Sequence, residues 1–461
     1  MHTNIESNPA GSSHRSDKIP LRLARMRPLS IMIVCALAAP AALAENLHDF
    51  FQLAVKKDPE IRQARANFDA RHANLDIGRA ALLPTITASA AGSRDAQAPA
   101  STYSFANGYY TSNYRINLQQ AVVNFQYWYA YQSARKNDES AALTLAQSEQ
   151  QLIMKVANAY FNILKSEANL ESYSAEEAAA RQVLESTKEK FDVGLVTITD
   201  VHDSQANADL TTVAKLLEEN NLNKLREALA AITGQEFGEL APLNPAFPIA
   251  SADPASIDTW VKLAQDNNIA IKIAQRDVDA KQLDAKATKA AGYPTVAFST
   301  SYTWNKSGLN ASFYPSVANE GSSIGINFSI PLYTGGSRSA QIRQAYSTRD
   351  AFEEALLKSQ RDNAMIARNA YRSLETDVKA VAARTQALLS AQTAYESTQV
   401  GAEVGTRNIV EVVQAQKVLF QNQRDLATAR FTYVIDTLLL KQSAGVLNPQ
   451  DVEELNQWLH Q

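Results

Sequence analysis

From Gln126 through Val193 the chain contains neither glycine nor proline. As one helix, this run of about 68 residues would extend roughly 100 Å at ~1.5 Å per residue. Ordinary globular helices average ~11–12 residues, so a compact domain is excluded. Three further runs free of both residues follow: Leu195 to Thr233, Ser337 to Val400, and Thr406 to Ala444. Their apolar residues fall in coiled-coil stripes. Leu152, Ile153, Val156, Tyr160, Ile163 and Leu164 form one, and Ile409, Val412, Val413, Val418 and Leu419 begin another. Alanine between the stripes permits close helix approach. Polar residues on the remaining face place it in water, either bulk solvent or a wet lumen.

The pattern occurs twice. Leu53-Ala54 recurs as Leu263-Ala264, Pro84 as Pro294, Asn117-Leu118 as Asn327-Phe328, Ala159-Tyr160 as Ala370-Tyr371, and Val193-Gly194 as Val404-Gly405. The spacing of about 210 residues is far beyond the ~20–50 of a solenoid, so it marks a duplicated structural unit. The expected organisation is a first repeat over 45–234, a linker over 235–253, a second repeat over 254–445, and a C-terminal segment over 446–461. Each repeat reads as helix, strand, loop, strand, very long helix, tight turn and shorter helix.

The strands are expected at about 84–92, 113–123, 294–304 and 322–331, with loops over 92–112 and 305–321. They alternate. Val296, Phe298, Tyr302 and Trp304 share one face, and Ala297, Ser299, Ser301 and Thr303 the other. Ile324, Ile326, Phe328 and Ile330 repeat the pattern, as do Tyr114, Ile116 and Leu118 against Arg115, Asn117 and Gln119. Short strands with one apolar and one polar face suit a membrane barrel with lipid outside and water inside. Tyr127, Trp128, Tyr129, Tyr131, Tyr293 and Tyr333 cluster at the strand ends, which suits either an interfacial belt or helix-core packing below the sheet. Four strands cannot close a barrel, whose smallest forms have ~8, so several copies must share one.

The N-terminus reads as a secretory signal over 1–44. Arg22, Arg25 and Arg27 precede an apolar run from Leu29 to Ala39, and Ala42-Leu43-Ala44 supplies small residues before Glu45. The stretch before it is long, and Met26 would make a more usual start. The single cysteine, Cys35, falls inside this signal, so the mature chain has no disulfide and no thiolate site. Net charge is −4, and more negative without the signal, which disfavours nucleic acid as a partner.

Several ordered motifs together resemble the TolC family of outer-membrane channel proteins. They are Glu45-Asn46-Leu47, Leu82-Leu83-Pro84, Phe191-Asp192-Val193-Gly194-Leu195-Val196 with Ile198-Thr199-Asp200-Val201, Ile330-Pro331-Leu332-Tyr333 before Gly335-Gly336, and Val404-Gly405-Thr406-Arg407 with Ile409-Val410. The resemblance covers about residues 45–455. It implies an α+β membrane protein that assembles as a homotrimer, each protomer giving four transmembrane strands to a 12-stranded barrel and its long helices to a periplasmic α-barrel. It also implies a periplasmic adaptor and an inner-membrane transporter as partners, with drugs, proteins or metals as cargo.

The resemblance locates a gate. Its two acidic positions, three residues apart, fall on Glu411 and Gln414, so the second acid is missing. Three copies of Glu411 near an axis would form a cation-selecting carboxylate ring. Arg407 and Asp200 fall on positions that pair in the family, with Thr199 a second acceptor, and Ala402-Glu403 replace an aromatic hydroxyl. The turns Val193-Gly194-Leu195 and Val404-Gly405-Thr406 are where the family meets its adaptor.

His48, His72, His202 and His460 are scattered without metal-ligand spacing, and Gly335-Gly336 lacks the Lys-Ser/Thr of a phosphate loop. No nucleophile elbow, catalytic carboxylate pair or dinucleotide fingerprint is present, so neither enzymatic activity nor a cofactor is expected. The rival reading is a secreted coiled-coil fibre or adhesin scaffold, which would have no need for four apolar-faced strands.

Overall fold

The computed structural model describes residues 46–95, 109–309 and 316–459. The expected signal over 1–44, His460 and the middles of both expected loops lie outside the described residues. The first repeat runs α1 (Leu47–Lys57), α2 (Pro59–Ala80), β1 (Thr85–Asp95), β2 (Tyr109–Val123), α3 (Phe125–Asp192) and α4 (Ile198–Thr233). The second runs α5 (Ile257–Asn267), α6 (Ile269–Ala290), β3 (Thr295–Leu309), β4 (Val317–Ser329), α7 (Ser337–Glu403) and α8 (Ile409–Ser443), followed by α9 (Pro449–Asn456). At 68 and 67 residues, α3 and α7 are each roughly 100 Å long.

Local chemistry fixes the joints. Asp58 ends α1 and caps α2, accepting from the N–H groups of Glu60 and Ile61. Pro59 then stands where a helix has no use for an N–H. In the second repeat Asn268 does the same work between α5 and α6, accepting from Ala270 and Ile271. The buried Asp58 carboxylate is met by Lys155 of α3 at 2.8 Å.

The core gathers roughly midway along the long helices. Leu47, Phe50 and Ile61 meet Val156, Tyr160, Phe161 and Ile163 of α3, Leu229 of α4, and Val434, Leu438 and Leu440 of α8. Each such side chain contributes ~1.5–3 kcal/mol on leaving water. The run expected as a linker is packed into this level. The Tyr160 hydroxyl donates to the Ala241 carbonyl at 2.7 Å, Leu243 bridges to Leu459, and the Phe247 ring meets Tyr433 and Trp458 edge-on.

The four strands make one antiparallel sheet in the order β1-β2-β3-β4. The β2–β3 pairing joins the two repeats, from Tyr109 opposite Leu309 to Val123 opposite Val296, with a bulge at Ala121/Val123. Within the chain β1 and β4 are free edges. The strands run beyond their expected ends, to Asp95 and Leu309 and from Tyr109 and Val317, because ladder bonding continues through Ser, Thr and Asn after the apolar alternation fades. No helix among the described residues is long and apolar enough to cross a membrane.

The helix ends also shift from expectation. α4 begins at Ile198 rather than 195, because Thr197 and Asp200 form a reciprocal capping box. α8 begins at Ile409 rather than 406, because the Asn408 side chain accepts from the Glu411 N–H. α7 continues past Val400 through Gly401 to Glu403.

Candidate functional site

One end of the molecule is a sheet built for two solvents. Residues opposite one another share a face, so Ile116 lies beside Tyr302, Tyr114 beside Trp304, and Phe298 beside Ile326. This face is exposed in the single chain: Ile324 is 80% accessible, Ile326 74% and Ile86 68%. Five rows run from Val296 to Trp304 along the strand, giving an apolar band roughly 20 Å tall at a tilt of ~40°. The Tyr114 and Trp304 rings meet at a tilt, 5.3 Å between centres, at its outer rim, while exposed Tyr127, Trp128, Tyr293 and Tyr333 mark the helix end. Tyr129 and Tyr131, also expected in the belt, are half-buried. The opposite face carries Thr87, Ser89, Asn117, Ser299, Ser301 and Asn327.

The other end is a pair of helical hairpin tips. Gly194 and Gly405 both take φ of +79°, the left-handed turn that lets a helix stop and reverse. The Leu195 N–H returns to the Lys190 carbonyl and the Thr406 N–H to the Gly401 carbonyl, each at 2.8 Å. Both tips project apolar side chains into solvent: Val193, Leu195 and Ile198 on one, and Val400, Val404 and Val410 on the other.

The expected gate residues flank these tips, each bonded within its own hairpin. Arg407 Nη1 meets Glu411 Oε2 at 2.6 Å, one turn along α8. Asp200 accepts from both the N–H and the hydroxyl of Thr197, which hold its carboxyl below the usual range. The Arg407–Asp200 pair is therefore not formed within one protomer, because each side chain has a nearer partner fixed by helix geometry. Thr199 and Gln414 are exposed, and Glu411 is partly covered.

The structure adds a polar belt that sequence reasoning missed. Arg424 of α8 bonds Glu176 of α3 at 2.6 Å. The next residue on each helix turns about 100° away and serves another neighbour. Glu177 accepts from Lys215 and Thr212 of α4, and Asp425 accepts from Arg384 of α7 at 2.6 Å. One level of charge thus ties α4, α3, α8 and α7 in sequence. Between the belt and the tips, no ion pair among the described residues joins the α3–α4 hairpin to the α7–α8 hairpin. Further up, Asp377 of α7 faces Asp436 of α8. Burial and the facing carboxyl raise Asp377 to about 6.

Paired helices roughly 100 Å long, capped by an amphiphilic, open-edged sheet, are the protomer expected of an outer-membrane channel. The chain belongs to the Outer membrane efflux protein family, which matches residues 50–235 and 260–446. Outer membrane protein TolC of Vibrio cholerae serotype O1 is 33% identical over 435 residues, spanning 94% of this chain and 98% of that protein. Alkaline protease secretion protein AprF of Pseudomonas aeruginosa is 25% identical over 422 residues, spanning 89% and 87%. Among solved structures, the outer membrane protein VceC of Vibrio cholerae superposes with a TM-score of 0.72 at 19% identity, over 87% of this chain and 96% of that one. These likenesses agree with the TolC-type fold read from the sequence and give no support to the fibre alternative.

Proposed function

We propose that three copies of this chain form a closed exit duct that carries substrates from an inner-membrane transporter and periplasmic adaptor to the exterior, in efflux or type I secretion. The observation that carries this reading is the sheet with two free edges continuous with helices roughly 100 Å long. Backbone groups left unpaired in lipid cost several kcal/mol each, so β1 and β4 require partners from other copies. Similarity to a protease secretion protein supports export of polypeptide, and the family name supports efflux.

In this reading the tips are the gate and the docking surface. Glu411 forms a single carboxylate ring, Gln414 stands below it as an uncharged ring, and Arg407 shields Glu411 at rest. Asp200 and Thr199 line the neighbouring hairpin, where Asp200 offers an acceptor to an arginine from an adjacent copy. Val193, Gly194, Leu195, Val404, Gly405 and Thr406 present apolar knobs to the adaptor.

The test is fractionation with crosslinking. Outer-membrane, heat-modifiable trimers, with a photo-crosslinker at Leu195 capturing a periplasmic protein, are expected. A monomer in detergent, or a soluble shed product, would overturn the reading.

A further inference from the structure

The polar face of the sheet carries one charge across five consecutive rows. From Thr85 to Ser93 on β1, the residues in register on this face are Thr, Ser, Asn, Gln, Ala, Gly, a terminal Val317, and Arg115. Arg115 stands in the middle row, opposite Ser89 on one side and Thr303 on the other, with Gly321 beyond. Its neighbours are short, no carboxylate lies in these rows, and its side chain is exposed with no ion pair among the described residues. The same position in the second repeat's pattern, between Ile324 and Ile326, is Gly325, so the charge is not a copied feature of the fold.

An unpaired guanidinium on a wall of hydroxyls and amides has no structural task there. Among the described residues its guanidinium lies over no aromatic ring and joins no salt bridge. We infer that Arg115 is a specificity-determining residue: three copies form a cationic ring inside the exit barrel that favours anions bearing phosphate or carboxylate. The inference rests on the trimeric barrel of the proposed function.

Magnitudes support an effect across the whole lumen. Twelve strands spaced ~4.8 Å apart and tilted ~40° give a backbone radius of roughly 12 Å, and an extended arginine covers roughly half of it. The remaining gap is smaller than the Debye length of ~8 Å at physiological salt. Anything leaving through the barrel centre therefore feels all three guanidinium groups, and rings of arginine select anions in other pores. The Glu411 ring lies at the opposite end of the duct, so the two ends carry opposite signs.

The test uses purified protein in planar bilayers, with sodium tripolyphosphate added on the extracellular side, where it meets Arg115 before the gate. At 0.1 M KCl the wild type is expected to be blocked. Arg115→Gln should weaken the block at least tenfold while changing KCl conductance less than twofold, Arg115→Lys should retain it, and 1 M KCl should abolish it. A wild-type channel that tripolyphosphate does not block, or an R115Q channel blocked as strongly as wild type, would overturn the ring. Wild-type protein that forms no channel would overturn the barrel reading itself, and the ring with it.

Discussion

Arg424 bonds Glu176 at 2.6 Å while its guanidinium lies 4.0 Å from the centre of the Tyr173 ring. The two charged side chains are only 15% and 7% accessible, so among the described residues this is the most enclosed ion pair joining the two repeats. Removing one partner from a buried pair strands the other, at a cost of roughly 3–5 kcal/mol, whereas replacing both by apolar residues is often neutral. Glu176→Gln should therefore lower the thermal midpoint of the helical signal in circular dichroism. Glu176→Met combined with Arg424→Met should restore most of it. Equal losses in the single and double variants would show that the pair does not act as a unit.

Arg407 pairs with Glu411 at 2.6 Å, one helical turn apart. Arg407→Ala is expected to enlarge leak current in a bilayer and to increase the preference for K⁺ over Cl⁻, because the carboxylate is left bare. Glu411→Gln should move selectivity the other way. The pair is exposed and contributes only ~0–1 kcal/mol, so folding and trimer yield should not change. Unaltered conductance and selectivity in both variants would remove Arg407 and Glu411 from the gate.

Asp377 is raised to about 6, so the folded protein holds its proton more tightly than the unfolded chain does. The sign follows from linkage: the contribution is complete below the ordinary carboxylate range near pH 4 and is lost as pH rises through about 6. Asp377→Asn should leave stability unchanged at pH 4 and increase it at pH 7.5, measured as denaturant midpoint. A gain equal at both pH values would assign the effect to packing rather than to repulsion from Asp436.

The two faces of the sheet should tolerate charge differently. Ile326→Lys sits on the apolar band and should cost ~2–4 kcal/mol per chain near the bilayer midplane. Ser323→Lys, on the polar face, should assemble normally. Heat-modifiable trimer on gels reads both. Loss of trimer in Ser323→Lys with retention in Ile326→Lys would invert the assignment of lipid and lumen.

The long helices, the alternating strands and the Val-Gly turns were legible because each rests on a local rule: absence of breakers, period two, and a positive φ that glycine supplies. The helix starts were not, since Thr197 and Asn408 act through side-chain caps that displace the first helical residue. The strand ends were hidden in Ser- and Thr-rich sequence, where hydrogen bonding persists without an apolar signature. The belt was invisible for a different reason. Glu176-Glu177 and Arg424-Asp425 look like any solvated helix face until tertiary packing assigns each charge to a separate neighbour. The positions of Arg407 and Asp200 were foreseen, but not that each would bond within its own hairpin.

The β2–β3 pairing runs the full length of both strands, so each polypeptide arrives as a finished arc with one raw margin on either side. In the proposed three-copy cylinder, closure would need only β4 of one arc to pair with β1 of the next, with no rearrangement inside any arc.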